Sequence, residues 1–294
     1  MMRLGLILAF LLAILNAKPV VSATILPVEY FIEQIGSNSV EITTIVKANA
    51  DPHSFEPKVS DMKKLEFSDL FFAVGIEYEG VWLPKFSKAY PNLKIINTQA
   101  NAHTPQDHDN HDGHDHEDEE HHGDHDGHDN HDHEEFDTHI WLDPILVKDQ
   151  AKIIAQALSD EYPQNSQIYS QNLDKFNQEI DKLDSYIKDS LKDLKNRKFM
   201  VFHPSWGYFA KRYDLTQIAI ESGGKEPKPA ALARLIKRAK DENIKVIFIS
   251  PGFSKKSAEL IAKQTGAKLI EIDPLSKEWL ENMYKIADIF KSSL

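Results

Sequence analysis

The sequence predicts an α/β fold of two lobes, each a mainly parallel sheet flanked by helices, which are joined by one long rigid helix. Three observations predict this architecture. Strand-like apolar segments alternate with helical segments in the first half of the 294-residue chain, the same alternation returns in the second half, and the longest amphipathic stretch lies between them. Strands that alternate with helices are typical of parallel sheets covered on both faces.

The first lobe is expected over residues 18–161. Asp143 and Pro144 are residue types that cap a helix and begin its first turn, so a helix is expected from there to about Glu161. Ser60 is expected to cap a shorter helix. The other elements follow from apolar periodicity and intervening turn residues. They are strands at 20–26, 40–46, 70–74 and 93–96, and helices at 28–35 and 60–67.

The long linking helix is expected within residues 162–198. Apolar residues recur there every three to five positions, from Ile168 to Leu194, with charged residues between them. About thirty helical residues would span roughly 45 Å, enough to run the height of a two-lobed molecule.

The second lobe, residues 199–294, repeats the alternating pattern. Its predicted elements are strands at 199–202, 216–220, 245–249 and 268–272, and helices at 204–213, 230–242, 255–265 and 277–290.

The N-terminus, residues 1–17, has the features of a cleaved signal peptide. Arg3 precedes an apolar run of about a dozen residues that ends at the small Ala17, too short a run for a membrane span. Cleavage after Ala23 is the alternative, but it would cut the first strand. The sequence contains no cysteine, hence no disulfide and no site for the lipid of exported lipoproteins. A soluble periplasmic protein is expected.

Residues 106–135 form an insertion of ten histidines, fourteen acidic residues and six Gln, Asn or Gly. With nothing apolar to bury, it is expected to be solvated and mobile, and to bind several metal ions weakly. A solvated spacer is the alternative. Outside the insertion the chain has 34 Lys and Arg and 32 Asp and Glu, so the rest of the protein is nearly neutral. Nucleic-acid binding is therefore not expected. The histidines are His108, His111, His114, His116, His121, His122, His125, His128, His131 and His133.

Outside the insertion, three histidines lie near predicted strand or helix ends. His53 follows a strand within DPHSFEP, His139 precedes a helix within DTHIWLDP, and His203 lies between a strand and a helix within VFHPSWGYFA. Asp273 ends the last strand. Loops beyond the carboxyl ends of parallel strands are where open α/β sheets bind ligands. Each residue alone has an ordinary explanation as a turn or hydrogen-bonding group, but together with the insertion they favour a metal site.

These motifs, with the exported N-terminus, the insertion and the long helix, resemble the zinc- and manganese-binding receptors of ABC importers, most closely the zinc-specific ZnuA-like group. The resemblance covers essentially the whole mature chain. It implies a metal cleft between the lobes in which His53, His139 and His203 bind one ion, with Asp273 as a possible fourth ligand. It also implies a receptor that delivers the metal to a membrane permease. A monomer is expected.

The third histidine indicates Zn²⁺, because the family pairs a histidine there with zinc and a glutamate with manganese, as ligand chemistry favours. Some zinc receptors have a glutamate immediately before the first histidine, where this chain has Pro52. The fourth position then falls to Asp273 or to water.

Three alternatives stay open: an exported zinc-dependent hydrolase, a manganese-specific receptor of the same family, and a metal-buffering or adhesive protein that uses only the insertion. The sequence contains no HExxH, GxSxG, GxGxxG or Walker motif. An enzyme is therefore not expected, and a high-affinity zinc receptor is.

Overall fold

A computed structural model describes residues 18–99, 137–221 and 223–294. The predicted signal peptide at 1–17 and the insertion at 106–135, with its ten histidines, lie outside these residues. Within the described ranges, no helix combines the length and the apolar character that a membrane span requires.

Four parallel strands and four helices form the first lobe. The strands are β1 Val20–Ala23, β2 Glu41–Thr44, β3 Ser68–Ala73 and β4 Lys94–Asn97, and the helices are α1 Leu26–Gly36, α2 Val59–Leu65, α3 Glu77–Ala89 and α4 Pro144–Glu161. The sheet order is β2-β1-β3-β4. Five of the six residues of β3 are buried, as expected for a strand inside a sheet covered on both faces.

The second lobe repeats the topology of the first, with the sheet order β6-β5-β7-β8 and parallel pairing throughout. Its strands are β5 Lys198–Val201, β6 Thr216–Ala219, β7 Val246–Ile249 and β8 Lys268–Glu271, and its helices are α6 Gly207–Arg212, α7 Pro229–Asp241, α8 Lys256–Thr265 and α9 Trp279–Ser293.

The long helix, α5, spans Ser166–Leu191. It has 26 residues and is roughly 39 Å long. It packs against α1 and α4 of the first lobe and against α9 of the second. Its apolar stripe, which includes Phe176, Ile180 and Leu183, is buried. (The short turn Pro163–Asn165 separates it from α4.) The predicted fold class is confirmed, whereas the division at 161/162 and 198/199 stays a prediction.

Two local features differ from the sequence-based expectations. Helix α3 was not expected, because Gly80 and Pro84 are both poor interior helix residues, yet burial of Tyr78 and Phe86 stabilises it against the sheet. Helix α2 begins one residue before Ser60, and the Asp61 carboxylate rather than Ser60 satisfies its first turn, accepting from the Lys58 backbone N–H at 3.1 Å.

The two lobes share one apolar core that reaches from Val21 in β1 to Phe290 in α9. Two tryptophans tie the lobes reciprocally at its edge. Trp141 Nε1 donates to the Pro274 carbonyl at 2.8 Å, and Trp279 Nε1 donates to the Trp141 carbonyl at 2.7 Å. Buried indole N–H groups with partners of this kind fix the relative placement of the elements that carry them.

Candidate metal centre

The three histidines singled out from the sequence lie in loops at the carboxyl ends of parallel strands. His53 is in the loop that follows β2, and His203 comes two residues after β5. His139 caps the short 3₁₀ turn Ile140–Leu142, which leads into α4. Because all strands within each sheet are parallel, these loops lie on one edge of each sheet, and the two edges meet between the lobes.

The three imidazoles converge through their Nε2 atoms. His203 Nε2 lies 2.9 Å from His53 Nε2 and 3.2 Å from His139 Nε2. One ring nitrogen from each of the three lies within 4.8 Å of the other two. Nitrogen ligands of a tetrahedral Zn²⁺ at about 2.0–2.1 Å would be roughly 3.3 Å apart, so the observed arrangement fits such an ion with small shifts.

The opposite ring nitrogens of two of these histidines contact carboxylates. His203 Nδ1 lies 2.5 Å from Glu221 Oε1, and His139 Nδ1 lies 2.8 Å from Asp137 Oδ1, which also accepts from the His139 backbone N–H at 2.9 Å. A carboxylate at Nδ1 holds the proton there, which leaves the Nε2 lone pair free to bind a metal. Both rings are therefore fixed in orientation and in tautomer.

His53 has the same arrangement, with its Nδ1 hydrogen-bonded to Glu77. Its turn is also held by Asp51, whose carboxylate accepts from the His53 N–H at 2.9 Å and from Ser54 Oγ at 2.6 Å. Burial alone lowers the pKa of His53, but the hydrogen bond and charge of Glu77 outweigh it, so the pKa is raised above 6.5. Burial alone raises the pKa of Glu77, and its contact with His53 reverses that shift and lowers it.

His139 is the most buried of the three histidines, with 6% of its surface exposed. Burial lowers its pKa below 6.5, although the neighbouring Asp137 acts in the opposite direction. At neutral pH this imidazole is uncharged, the state that a metal ligand requires.

Aromatic rings enclose the imidazoles. Phe253 stacks on His203 with 4.7 Å between ring centroids and an interplanar angle of 15°, and Trp141 lies 5.1 Å from the ring of His139. Trp141 and Trp206 are both fully buried, as packing groups are. These rings keep water from one side of the cluster and so strengthen its electrostatic interactions.

Asp273 follows β8 at the same edge of the second sheet, but it is not part of the three-histidine group. Its Oδ1 accepts from the Leu275 N–H at 2.8 Å, and its backbone carbonyl accepts from Asn282 Nδ2 at 2.7 Å. Burial raises the pKa of its carboxyl. In this arrangement Asp273 organises the turn between β8 and α9.

Glu77, Asp137 and Glu221 were not singled out from the sequence. Asp137 stands two residues before His139 inside one of the motifs, and Glu77 and Glu221 each follow a strand within a few residues. Position at a strand end is the signal that could have found the two glutamates, but their pairing with particular histidines depends on the tertiary fold.

Comparison with known proteins gives one consistent family. The family described as ZnuA, zinc-uptake complex component A, periplasmic, matches residues 21–293. The high-affinity zinc uptake system protein ZnuA of Bacillus subtilis (strain 168) is 30% identical over 279 residues, which are 93% of this chain and 85% of that protein. The zinc-binding protein AdcA of Streptococcus pyogenes serotype M3 is 29% identical over 88% of this chain, which spans about half, 51%, of its length.

Solved structures agree. A ZnuA crystal structure superposes with a TM-score of 0.81 at 34% identity, over 94% of this chain and 99% of that one. A zinc-bound ZnuA deletion mutant gives the same TM-score at 35% identity, over 94% and 98% of the two chains. This family consists of metal receptors that work with the permease of an ABC importer. The chain belongs to the ZnuA family.

Proposed function

We propose that this protein captures Zn²⁺ in the periplasm and delivers it to the membrane permease of an ABC importer. The observation that carries the proposal is the convergence of three Nε2 atoms, each on an imidazole whose Nδ1 contacts a carboxylate. Such a group is a preorganised site for one divalent ion. Its assembly from loops of both lobes fits a receptor that encloses its cargo.

Zinc fits this ligand set better than manganese does. His53, His139 and His203 offer three neutral nitrogens, and imidazole suits Zn²⁺ whereas Mn²⁺ prefers carboxylate and water oxygens. The carboxylates near the site are engaged at Nδ1. They hold the rings in place, raise the basicity of Nε2 and offset the charge of the incoming ion.

Water is the fourth ligand that the geometry favours. The sequence left Asp273 or water for this position, and Asp273 lies outside the three-histidine group with one oxygen bound to the Leu275 N–H. A water ligand would also allow a group of the receiving permease to replace it without displacing a protein side chain.

A receptor without enzymatic activity is part of the proposal. A metallohydrolase needs a general base beside the open coordination position. Here Glu77, Asp137 and Glu221 each contact an imidazole Nδ1, on the side of the ring away from the converging Nε2 atoms. Turnover of ester, phosphate or lactam substrates by the zinc-loaded protein, abolished by His139→Ala, would support the hydrolase instead.

For export and assembly, the proposal takes over the sequence-based expectations. We propose a signal peptide over 1–17, cleaved after Ala17, a monomeric soluble receptor in the periplasm, and no interaction with nucleic acid. The lobes are proposed at 18–161 and 199–294, linked through 162–198. The histidines of the insertion at 106–135 are proposed to bind several ions weakly and to exchange them with the cleft.

Calorimetric titration of a variant lacking residues 106–135 tests the function. We expect one Zn²⁺ per chain, bound more tightly than micromolar, and a loss of that binding in His203→Ala. Binding no tighter than micromolar, or a His203→Ala variant that binds as well as its parent, would contradict the cleft site. A deletion variant that binds no metal at all would favour the metal-buffering alternative.

A further inference from the structure

One loop of the second lobe, residues 250–254 between β7 and α8, contacts both sides of the metal cleft. Its Gly252 has a left-handed backbone, with φ of +83°. A Cβ added to Gly252 would lie 2.7 Å from the carbonyl oxygen and 3.2 Å from the carbonyl carbon of Asn49, in the first lobe. Because these are backbone atoms, no side-chain rotation could relieve the overlap. Only glycine allows this approach.

The two partners of this contact lead directly to metal ligands. Phe253, the next residue in the loop, stacks on the imidazole of His203 and packs on the core of the second lobe. Asn49 lies four residues before His53, in a loop stiffened by the two hydrogen bonds that Asp51 accepts. A displacement at the Gly252–Asn49 contact would therefore reach one ligand on each side of the cleft.

The contact itself is held weakly. Among the described residues, no hydrogen bond or ion pair joins the loop 250–254 to the first lobe, and the loop's own backbone hydrogen bond, Phe253 N–H to the Ser250 carbonyl, is long at 3.4 Å. Its far end is anchored within the second lobe, where the Ser254 hydroxyl donates to Glu226. The seam between the lobes at Asn49 can thus open without the loss of a hydrogen bond.

Other ties between the lobes are stronger. Besides the tryptophan pair, Arg212 of α6 donates from Nε to both oxygens of Asp143, at 2.5 and 2.7 Å, and Asp143 is the cap of α4. Lys277 also binds Glu29 and Glu33 of α1, at 2.7 and 3.0 Å. Because these charged links join the lobes elsewhere, the least costly opening is local to the loop.

We propose that the loop 250–254 closes the metal cleft by seating Gly252 on the backbone of Asn49, and that this contact, with Phe253 stacked on His203, sets the rate at which metal leaves. The inference rests on the function proposed above. Gly252 and Phe253 are positioning residues: neither binds the ion, and both hold ligands of the closed site in place.

The test is the rate of zinc release from the full chain. The protein is loaded with half an equivalent of Zn²⁺, so that the tightest site fills first, and is mixed rapidly with an excess of a chromogenic chelator. Gly252→Ala is compared with Gly266→Ala, which carries a similar positive φ of +76° but has no atom within 4 Å of the added methyl group. The pair separates the contact from backbone strain.

We expect Gly252→Ala to release zinc about tenfold faster than Gly266→Ala, as an overpacked contact predicts, with an unchanged association rate. Phe253→Ala, which adds no overlap, should also release zinc faster than the parent. If Gly252→Ala unfolds at a lower temperature than Gly266→Ala, the release rate of Phe253→Ala tests the inference instead. The inference is overturned if Gly252→Ala releases zinc as slowly as Gly266→Ala and Phe253→Ala releases it as slowly as the parent. Zinc that leaves parent and His203→Ala equally fast would contradict the proposed function instead.

Discussion

Replacing each carboxylate that contacts a histidine Nδ1 should weaken zinc binding in an order set by burial. The exposed fractions of the side chains are 4% for Glu221, 33% for Asp137 and 44% for Glu77. The amides in Glu221→Gln, Asp137→Asn and Glu77→Gln can still accept the Nδ1 hydrogen bond, so each substitution removes mainly the charge. A buried charge is screened less by solvent than an exposed one, so its loss has the larger effect.

The magnitude follows from the usual cost of losing such a partner, about 10- to 100-fold in metal affinity. Glu221→Gln should lie near the upper end, about 2.7 kcal/mol, because its 2.5 Å hydrogen bond is almost fully enclosed. Glu77→Gln should lie at or below about tenfold, roughly 1.4 kcal/mol. Asp137→Asn should fall between them, although its carboxylate also accepts from the His139 backbone N–H.

The assay is competition with a chromogenic zinc chelator at about pH 8, above the ordinary pKa of an imidazole, which limits competition from protons. The background is the variant lacking residues 106–135, so that only the cleft is measured. Glu161→Gln is the control, because Glu161 pairs with Lys94 at the start of β4, on the edge of the sheet opposite the cleft. Equal losses for all three carboxylates, or the largest loss for Glu77→Gln, would refute the argument from burial.

Two further predictions concern protons and the seam between the lobes. Glu77 raises the pKa of His53, so protons begin to compete with zinc for this imidazole at a higher pH than they would without Glu77. On acidification, zinc affinity should therefore fall at a higher pH in the parent than in Glu77→Gln. Titrations from about pH 8 to pH 5.5 measure the difference. A methyl group on Gly207 of α6 would collide with the Asp137 carboxylate across the lobes. Gly207→Ala should therefore weaken zinc binding about tenfold, whereas Gly80→Ala, which has open space around its added methyl group, should leave affinity unchanged in the same competition assay.

The sequence predicted the sheets and most helices because their signals are local. Alternation of apolar strands with capped amphipathic helices identifies a parallel fold, and the Asp143-Pro144 pair marked the start of α4 to the residue. Helix α3 could not be predicted in this way, because Gly80 and Pro84 lower the helix propensity of its sequence. The burial that stabilises it comes from the sheet on which it packs.

Some residues of the site could likewise be predicted from the sequence, and others could not. His53, His139 and His203 could be chosen because so few histidines remain outside the insertion and because strand ends are where parallel sheets bind ligands. The partners Glu77 and Glu221 could not, since acidic residues are common in this chain and each contact joins separate segments. The Gly252–Asn49 contact lies further still from local signals, because it joins loops of different lobes.

The two lobes share one topology, but equivalent positions in them have different roles. Strands β2 and β6 occupy the same place in their sheets, yet the loop after β2 supplies the ligand His53 and the loop after β6 supplies Glu221, the carboxylate that orients His203. Strands β4 and β8 correspond likewise, but His139 joins the cluster while Asp273 binds its own turn. One ring nitrogen from each of the three imidazoles faces a common position, and a carboxylate contacts the opposite nitrogen of each ring. Because His53 and His139 belong to the first lobe and His203 to the second, an ion bound to all three should stabilise the contact between the lobes.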